Sequence, residues 1–301
     1  METPLPEPSK KSFARGLMIF LGAAAGIALL SVAATSILPK SIIGSGKIAV
    51  VEVAGIITDS RDVVRQLARY RKDRSVLGIV LRVDSPGGAV GPSQEIYDEV
   101  VRVRDSHKTI YASLGSIAAS GGYYIASPTH RVIANPGTLT GSIGVIMAFS
   151  NVEELIGKIG VKPEVIKSGQ FKDAGSPVRP MTQQEREYLQ TVVDDVHGQF
   201  IQAVAEGRDL PVENVRKIAD GRIFTGKQAF ELKLVDELGG LESAIARLAR
   251  EVGIEGEPRV VQEEKHEGLL DLLLQSITPN YFTNRVTHPV IPSLQLIWTV
   301  P

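Results

Sequence analysis

The 301-residue sequence contains no cysteine, which excludes disulfide bonds, thiolate nucleophiles and cysteine-ligated metals. Its net charge of -1 shows no excess of basic residues, so we expect no nucleic-acid partner, because phosphates require a basic surface. The chain also lacks the paired-histidine patterns of metal sites and a complete phosphate-binding loop, so we expect no metal, ATP or other cofactor. Apolar residues make up 43% of the chain, enough for a substantial core.

A long uncharged run lies near the N-terminus. Residues 16–38 read GLMIFLGAAAGIALLSVAATSIL and follow Lys10, Lys11 and Arg15. Their length and basic flank predict a single-pass transmembrane anchor, with residues 1–15 in the cytoplasm and the rest of the chain on the other side of the membrane. A cleaved signal peptide is the alternative, since Val32-Ala33-Ala34 resembles a cleavage site. The length of the run favours a retained anchor.

Strand and helix patterns alternate after a linker at residues 39–46. The patterns predict strands at 47–57, 76–83, 109–114, 131–134, 143–148 and 163–167, and helices at 60–73, 92–105 and 152–159. A capping box at Thr182–Glu185 opens a long helix that reaches about residue 206, and shorter helices follow to residue 253. This alternation predicts right-handed βαβ units in an α/β fold with a mainly parallel sheet.

Ser120 is the first candidate for chemistry. It follows the predicted strand at 109–114 and precedes Gly121 and Gly122. Glycines at such a turn allow a substrate carbonyl to approach bare backbone amides, a geometry that suits an exposed nucleophile. A turn in which small residues merely pack is the alternative for this motif taken alone.

A serine nucleophile needs a base. None of the five histidines lies in a glycine-rich or strand-end position; they are His107, His130, His197, His266 and His288. A lysine can serve when desolvation leaves its amine uncharged near neutral pH, and Lys172, in a polar loop after a predicted strand, is the best candidate. Ser142, in a second cluster of hydroxyl side chains, could hold the lysine amine in place.

Asp84-Ser-Pro-Gly-Gly88 ends the predicted strand at 76–83, where open α/β sheets place their ligands. The amides of Gly87 and Gly121 could together form an oxyanion hole for a tetrahedral intermediate. Taken alone, this motif reads more simply as an ordinary turn between a strand and a helix.

Four ordered motifs, DSPGG, AASGG, TGSIGV and FKDAGSP, resemble those of the signal peptide peptidase A family of Ser-Lys membrane proteases. The resemblance extends through ADGRIFTGKQAFELKLVDELGG and covers about residues 47–253. It implies a ClpP/crotonase-like fold with Ser120 as nucleophile and Lys172 as general base. It further implies that Ser142 orients the lysine and that Gly87 lies in the oxyanion hole.

The resemblance also implies an arrangement between subunits. The family has double-length and single-length members, and its serine and lysine lie on different copies of the fold. This single-length chain would therefore share each active site between subunits of a homo-oligomer, anchored in a bacterial inner membrane with its catalytic domain outside the cytoplasm. Apolar peptides, such as released signal peptides, are the expected substrates.

Two other readings remain open. A crotonase-type acyl-CoA enzyme would share the fold and the glycine amides, and a non-catalytic membrane scaffold would use the glycine turns only for packing. The C-terminal extension, residues 254–301, contains a predicted apolar helix at 268–277 and an apolar tail. The tail from Pro292 to Pro301 could occupy the apolar groove of its own or a neighbouring subunit.

Overall fold

A computed structural model describes residues 46–263 and the backbone of residues 295–297. The predicted anchor at 16–38, the segment before it and the predicted helix at 268–277 lie outside these residues. Among the helices that the structure describes, none is both long and apolar enough to cross a bilayer.

A mainly parallel sheet forms the centre of the described domain. The strands are β1 (Lys47–Ala54), β2 (Val76–Ser85), β3 (Gly87–Ala89), β4 (Thr109–Ala119), β5 (Arg131–Ala134), β6 (Leu139–Gly141), β7 (Ile223–Thr225), β8 (Glu237–Leu238), β9 (Arg259–Gln262) and β10 (Gln295–Ile297). In the described chain, the large sheet has the order β7-β6-β4-β2-β1-β9, and β5 joins β4 to β8. Its pairs are parallel except β6 with β7, and β3 and β10 form a separate antiparallel pair.

Helices cover both faces of this sheet. They are α1 (Arg61–Lys72), α2 (Val90–Arg104), α3 (Gly121–Ala126), α4 (Glu153–Lys158), α5 (Gln183–Gly207), α6 (Val212–Arg216), α7 (Gly226–Glu231) and α8 (Leu241–Glu251). The first three helices and the C-terminal part of α5 pack in the larger core, whereas α8 packs on the other face against residues such as Ile48 and Val80. Strands buried on both faces need no polar alternation, which explains the continuous apolar runs of β1 and β2. The prediction of an α/β fold with a mainly parallel sheet is confirmed.

Two predicted strands are wrong. Residues 163–167 are exposed and have no regular structure, and residues 143–148 form no strand, although β6 lies just before them. β-branched residues favour a strand only where a sheet surface is available to pack against, and both segments leave the sheet. In contrast, β4 continues to Ala119, beyond the predicted end, because its last residues leave β5 and pair with β6.

Candidate active site

Ser120 occupies a strained turn between β4 and α3. Its φ of 52° lies in the left-handed region, which is uncommon for a residue with a side chain and marks a position under local strain. The Ser120 amide donates to the Gly141 carbonyl at 2.8 Å, and the residue is only 1% exposed. A Cβ on Gly122 would lie 2.6 Å from the Ser85 carbonyl oxygen, so this close turn requires a glycine.

Ser142 lies next to Ser120 in the sheet. Ala119 and Gly141 are partners in the β4–β6 register, and each of the two serines directly follows one of these partners. Ser142 also has a positive φ, 50°, and its amide donates to the Arg222 carbonyl at 2.8 Å. The structure therefore brings two of the residues selected from the sequence together at one sheet end.

Apolar and aromatic side chains support helix α3, which follows Ser120. Tyr124 packs against Tyr97 and Phe200, with ring centroids 4.7 and 5.0 Å apart. Burial raises the pKa of Tyr124 to about 12, so its phenol stays neutral at physiological pH. Since Phe200 belongs to α5, this contact joins the C-terminal half of α5 to the helix that follows Ser120.

The DSPGG segment, residues 84–88, connects β2 to β3 near the end of β4. Ser85 pairs with Ala118 at the end of β4, and Asp84 Oδ1 accepts a hydrogen bond from the Ile117 amide at 3.1 Å. This carboxylate bridges the irregular register between β2 and β4, and β3 begins at Gly87, two residues after the Ser85–Ala118 pair.

One edge of β3 is closed and the other faces β10. The Ile57 amide donates to the Gly87 carbonyl at 2.9 Å, and the Ala89 amide donates to the Ile57 carbonyl at 2.8 Å. Along a strand, backbone polar groups alternate between edges, so the amide and carbonyl of Gly88 face away from Ile57. At that edge, Gly88 is the antiparallel partner of Leu296 in β10.

The two glycines proposed for the oxyanion hole differ in whether their amides already have a hydrogen-bond acceptor. Gly121 is the first residue of α3, where an amide has no acceptor within the helix. The Gly87 amide instead donates to Ser85 Oγ at 3.1 Å. Its assignment to the oxyanion hole stays a prediction, and the structure adds the Gly88 amide as a candidate. Sequence alone could not distinguish adjacent glycines, because their hydrogen-bond partners decide which amide is presented.

Lys172 differs from the two serines, which are buried. Its side chain is exposed, in a segment of turns between α4 and α5, and its amide donates to the Gly169 carbonyl at 3.1 Å. No hydrogen bond joins Lys172 to Ser120 or Ser142 among the residues that the structure describes. The single chain thus assembles the serines and glycines but not the predicted dyad.

The histidines divide into three groups. His107 is exposed, and His130 has a structural role, because its Nδ1 accepts from the Ile110 amide at 3.1 Å. His266 and His288 lie outside the described residues. His197, on α5, has a buried Nε2 without a hydrogen-bond partner and lines a cavity of about 410 Å³ that Ser142 also lines. It forms no hydrogen bond to either serine in the described chain.

The fold and site define an α/β protein in which a strained serine turn and the first amide of a helix, that of Gly121, lie at one end of a mainly parallel sheet, an arrangement suited to acyl transfer. The model of peptidase family S49 matches residues 102–255. A Synechocystis sp. protein named as a protease is 47% identical over 199 residues, 66% of this chain and 72% of that protein. An Enterococcus faecium protein named as a signal peptide peptidase is 36% identical over 218 residues, 68% of this chain and 63% of that protein.

A third relative is much longer. "Protease 4" of Salmonella typhi is 35% identical over 213 residues, which are 68% of this chain but 34% of that protein. From these matches, the chain belongs to peptidase family S49, the signal peptide peptidase A family. The family predicted from the four motifs is confirmed.

Proposed function

We propose that this protein is a serine endopeptidase in which Ser120 is the nucleophile, Lys172 the general base and Ser142 the residue that orients the lysine. The observation that carries the proposal is the strained Ser120 turn beside a β3 edge that already pairs with an extended segment of chain. The family membership supports the same chemistry.

The proposed reaction follows from these groups. The Ser120 hydroxyl attacks the peptide carbonyl while the uncharged Lys172 amine takes its proton. The amide of Gly121, together with that of Gly87 or Gly88, donates to the oxyanion of the tetrahedral intermediate. Its collapse breaks the peptide C–N bond, and Lys172 returns the proton to the leaving amine. Water then hydrolyses the acyl-enzyme and releases free Ser120.

The substrate is proposed to bind as an extra strand along β3. Backbone groups of Gly88 face that edge, and the 295–297 segment is bound there in antiparallel pairing. Strand addition uses main-chain hydrogen bonds and so tolerates many sequences. The apolar sequence around this segment, together with the name of the Enterococcus faecium relative, supports apolar peptides such as released signal peptides as substrates.

Each site is proposed to be completed by a second copy of the chain. Lys172 is exposed and has no bond to the serines, so another copy must supply the base that Ser120 needs. Large exposed apolar side chains are concentrated in the same part of the chain and could pack between subunits; they include Leu155, Ile159, Val165, Ile166, Phe171 and Tyr188. We further propose that residues 16–38 anchor this homo-oligomer in a bacterial inner membrane, with the catalytic domain outside the cytoplasm.

Two inactive variants test the chemistry and the shared site together. Ser120→Ala and Lys172→Ala should each abolish peptide hydrolysis in the folded protein, whereas His197→Ala, which removes the competing base, should remain active. Co-expressed at equal levels, the two inactive variants should regain about a quarter of wild-type activity, because random assembly joins an intact serine to an intact lysine at that fraction of head-to-tail interfaces.

The outcomes separate the alternatives. Hydrolysis that persists without Lys172, or disappears without His197, would refute the lysine base. Failure of the mixture to recover activity would refute the shared site. A fluorophosphonate probe that labels Ser120 distinguishes an enzyme from a scaffold, and tight binding of a CoA thioester would favour the acyl-CoA enzyme.

A further inference from the structure

The turn that carries Lys172 has little structure of its own. Three single-turn hydrogen bonds shape it: Lys172 to Gly169, Ala174 to Phe171 and Ser176 to Asp173, each 3.0–3.1 Å from amide to carbonyl. No helix or strand spans residues 161–182. A base delivered to a distant serine must hold its position, so other contacts have to fix this turn.

Arg179 provides the ionic contacts, in addition to the Phe171–Tyr188 ring contact at 5.1 Å and the Gln170–Gln184 hydrogen bond at 2.6 Å. Its Nε and Nη2 lie 2.9 and 2.8 Å from the two carboxylate oxygens of Asp173, the residue next to Lys172. Nη2 also donates to the Asp173 carbonyl at 3.1 Å. On its other side, the guanidinium pairs with both carboxylate oxygens of Glu185, one of them at 2.9 Å. A planar guanidinium can hold two carboxylates in this forked geometry, whereas a lysine ammonium cannot.

The arrangement of Arg179 between Asp173 and Glu185 is called the Arg179 clamp below. Glu185 joins this clamp to the protein core. Its side chain is 3% exposed, and it also accepts from the Thr182 amide in the capping box that begins α5. α5 has 25 residues, about 37 Å at the helical rise, and its C-terminal half packs Phe200 against Tyr124 of α3. A continuous rigid element therefore runs from the core to the Lys172 turn.

The Arg179 clamp also neutralises the negative charge of Asp173, the residue that follows Lys172. An unpaired Asp173 carboxylate would attract a proton to the neighbouring amine, and a general base must be unprotonated. Arg179 and Lys167 both pair with Asp173. Arg179, followed by Lys167, holds the pKa of Asp173 well below its usual range, so the carboxylate stays paired as an anion.

We infer that Arg179 is a positioning residue for Lys172: through Asp173 and Glu185 it fixes the turn that presents the catalytic amine and neutralises the anion beside it. This inference rests on the proposed function of Lys172, but it assigns a role to a residue outside the four motifs that indicated the family.

Arg179→Gln tests the inference, with Arg71→Gln as the matched control. Arg71 is as exposed as Arg179, 28% against 26%, and its Nε lies 3.0 Å from Glu99, whose side chain is 3% exposed like that of Glu185. Both substitutions break an ion pair to a buried glutamate, but the Arg71 pair lies on α1 and α2, away from Lys172. The measurements are kcat, KM and the pH profile of peptide hydrolysis, with a thermal unfolding midpoint for each variant.

We expect Arg179→Gln to lower kcat roughly ten- to hundredfold with little change in KM, since misplacing a catalytic group by about 1 Å costs that order of rate. The acid limb of its pH profile should move to higher pH, because Asp173 then has one cation fewer. Asp173→Asn should move the limb to lower pH. Arg71→Gln should also destabilise the protein, although Arg102 still pairs with Glu99 at 3.1 Å, and it should leave kcat within threefold of wild type.

The inference is overturned if Arg179→Gln keeps kcat within threefold of Arg71→Gln, or if kcat falls while the pH profile stays fixed. Should Arg179→Gln fail to fold, Arg179→Lys keeps the charge without the fork. Arg179→Lys should then lower kcat as expected for Arg179→Gln, but the acid limb of its pH profile should stay where it is in the wild type. A wild-type kcat for Arg179→Lys would overturn the inference. If Lys172→Ala is inactive while both Arg179 variants behave like wild type, only this inference fails. If Lys172→Ala is active, the proposed function itself fails.

Discussion

Gly88→Ala is the sharpest perturbation of the proposed oxyanion and substrate site. A Cβ at this position would lie 2.0 Å from the Ile57 carbonyl oxygen and 2.6 Å from the backbone nitrogen and carbonyl carbon of the same residue. Ordinary van der Waals contact begins at 3.4 Å, so β3 and Ile57 must separate by about 1.4 Å. The clash cannot be relieved by moving a flexible side chain, because the three nearest atoms all belong to the backbone of Ile57.

We expect this shift to affect kcat more strongly than it affects the free energy of unfolding. A misplacement of about 1 Å near the reacting groups can reduce rate about a hundredfold, and β3 carries two of the three candidate glycine amides, those of Gly87 and Gly88. Overpacking at one residue destabilises a protein by about 1–3 kcal/mol. We therefore expect a folded protein with kcat lowered on the order of a hundredfold, measured by peptide hydrolysis alongside thermal unfolding.

Gly91→Ala is the matched control, three residues further along the chain. A Cβ on Gly91 meets nothing within 4 Å, and alanine favours a helix by about 1 kcal/mol relative to glycine. This variant should keep full activity and unfold at the same or a higher temperature. If Gly88→Ala folds with a kcat within threefold of the Gly91→Ala value, the placement of β3 in the active site is wrong.

Two further predictions follow from the described residues. The Arg179 guanidinium and then the Thr182 amide lower the pKa of Glu185 from 4.5 to about 2, so its stabilising contribution is present above pH 4.5 and is lost as pH falls towards 2. Unfolding free energy should therefore decline across that window, and Glu185→Gln should flatten the decline. Removing residues 292–301 should lower KM for short peptides with kcat unchanged, because the 295–297 strand then no longer competes for β3; unchanged kinetics would contradict this.

Local sequence predicted the regular elements well. The capping box at Thr182 and Glu185 is present as expected, and its helix runs from Gln183 to Gly207. Continuous apolar runs correctly indicated strands buried on both faces, because such strands have no solvent face that requires polar residues. Where no sheet partner exists, as at residues 163–167, β-branched composition alone gave the wrong answer.

Residue types and their order determined the candidate chemistry. Glycines after Ser120 and within DSPGG could be recognised because only glycine permits such close backbone approach, and the absence of cysteine removed the main rival nucleophile. The tertiary structure decided what depends on partners distant in sequence: that Ser142 lies beside Ser120, that Gly88 faces the edge of β3 that pairs with β10, and that Arg179 joins Asp173 to Glu185. Hydrogen-bond partners and ion pairs of this kind are set by sheet register and helix packing, which no local pattern encodes.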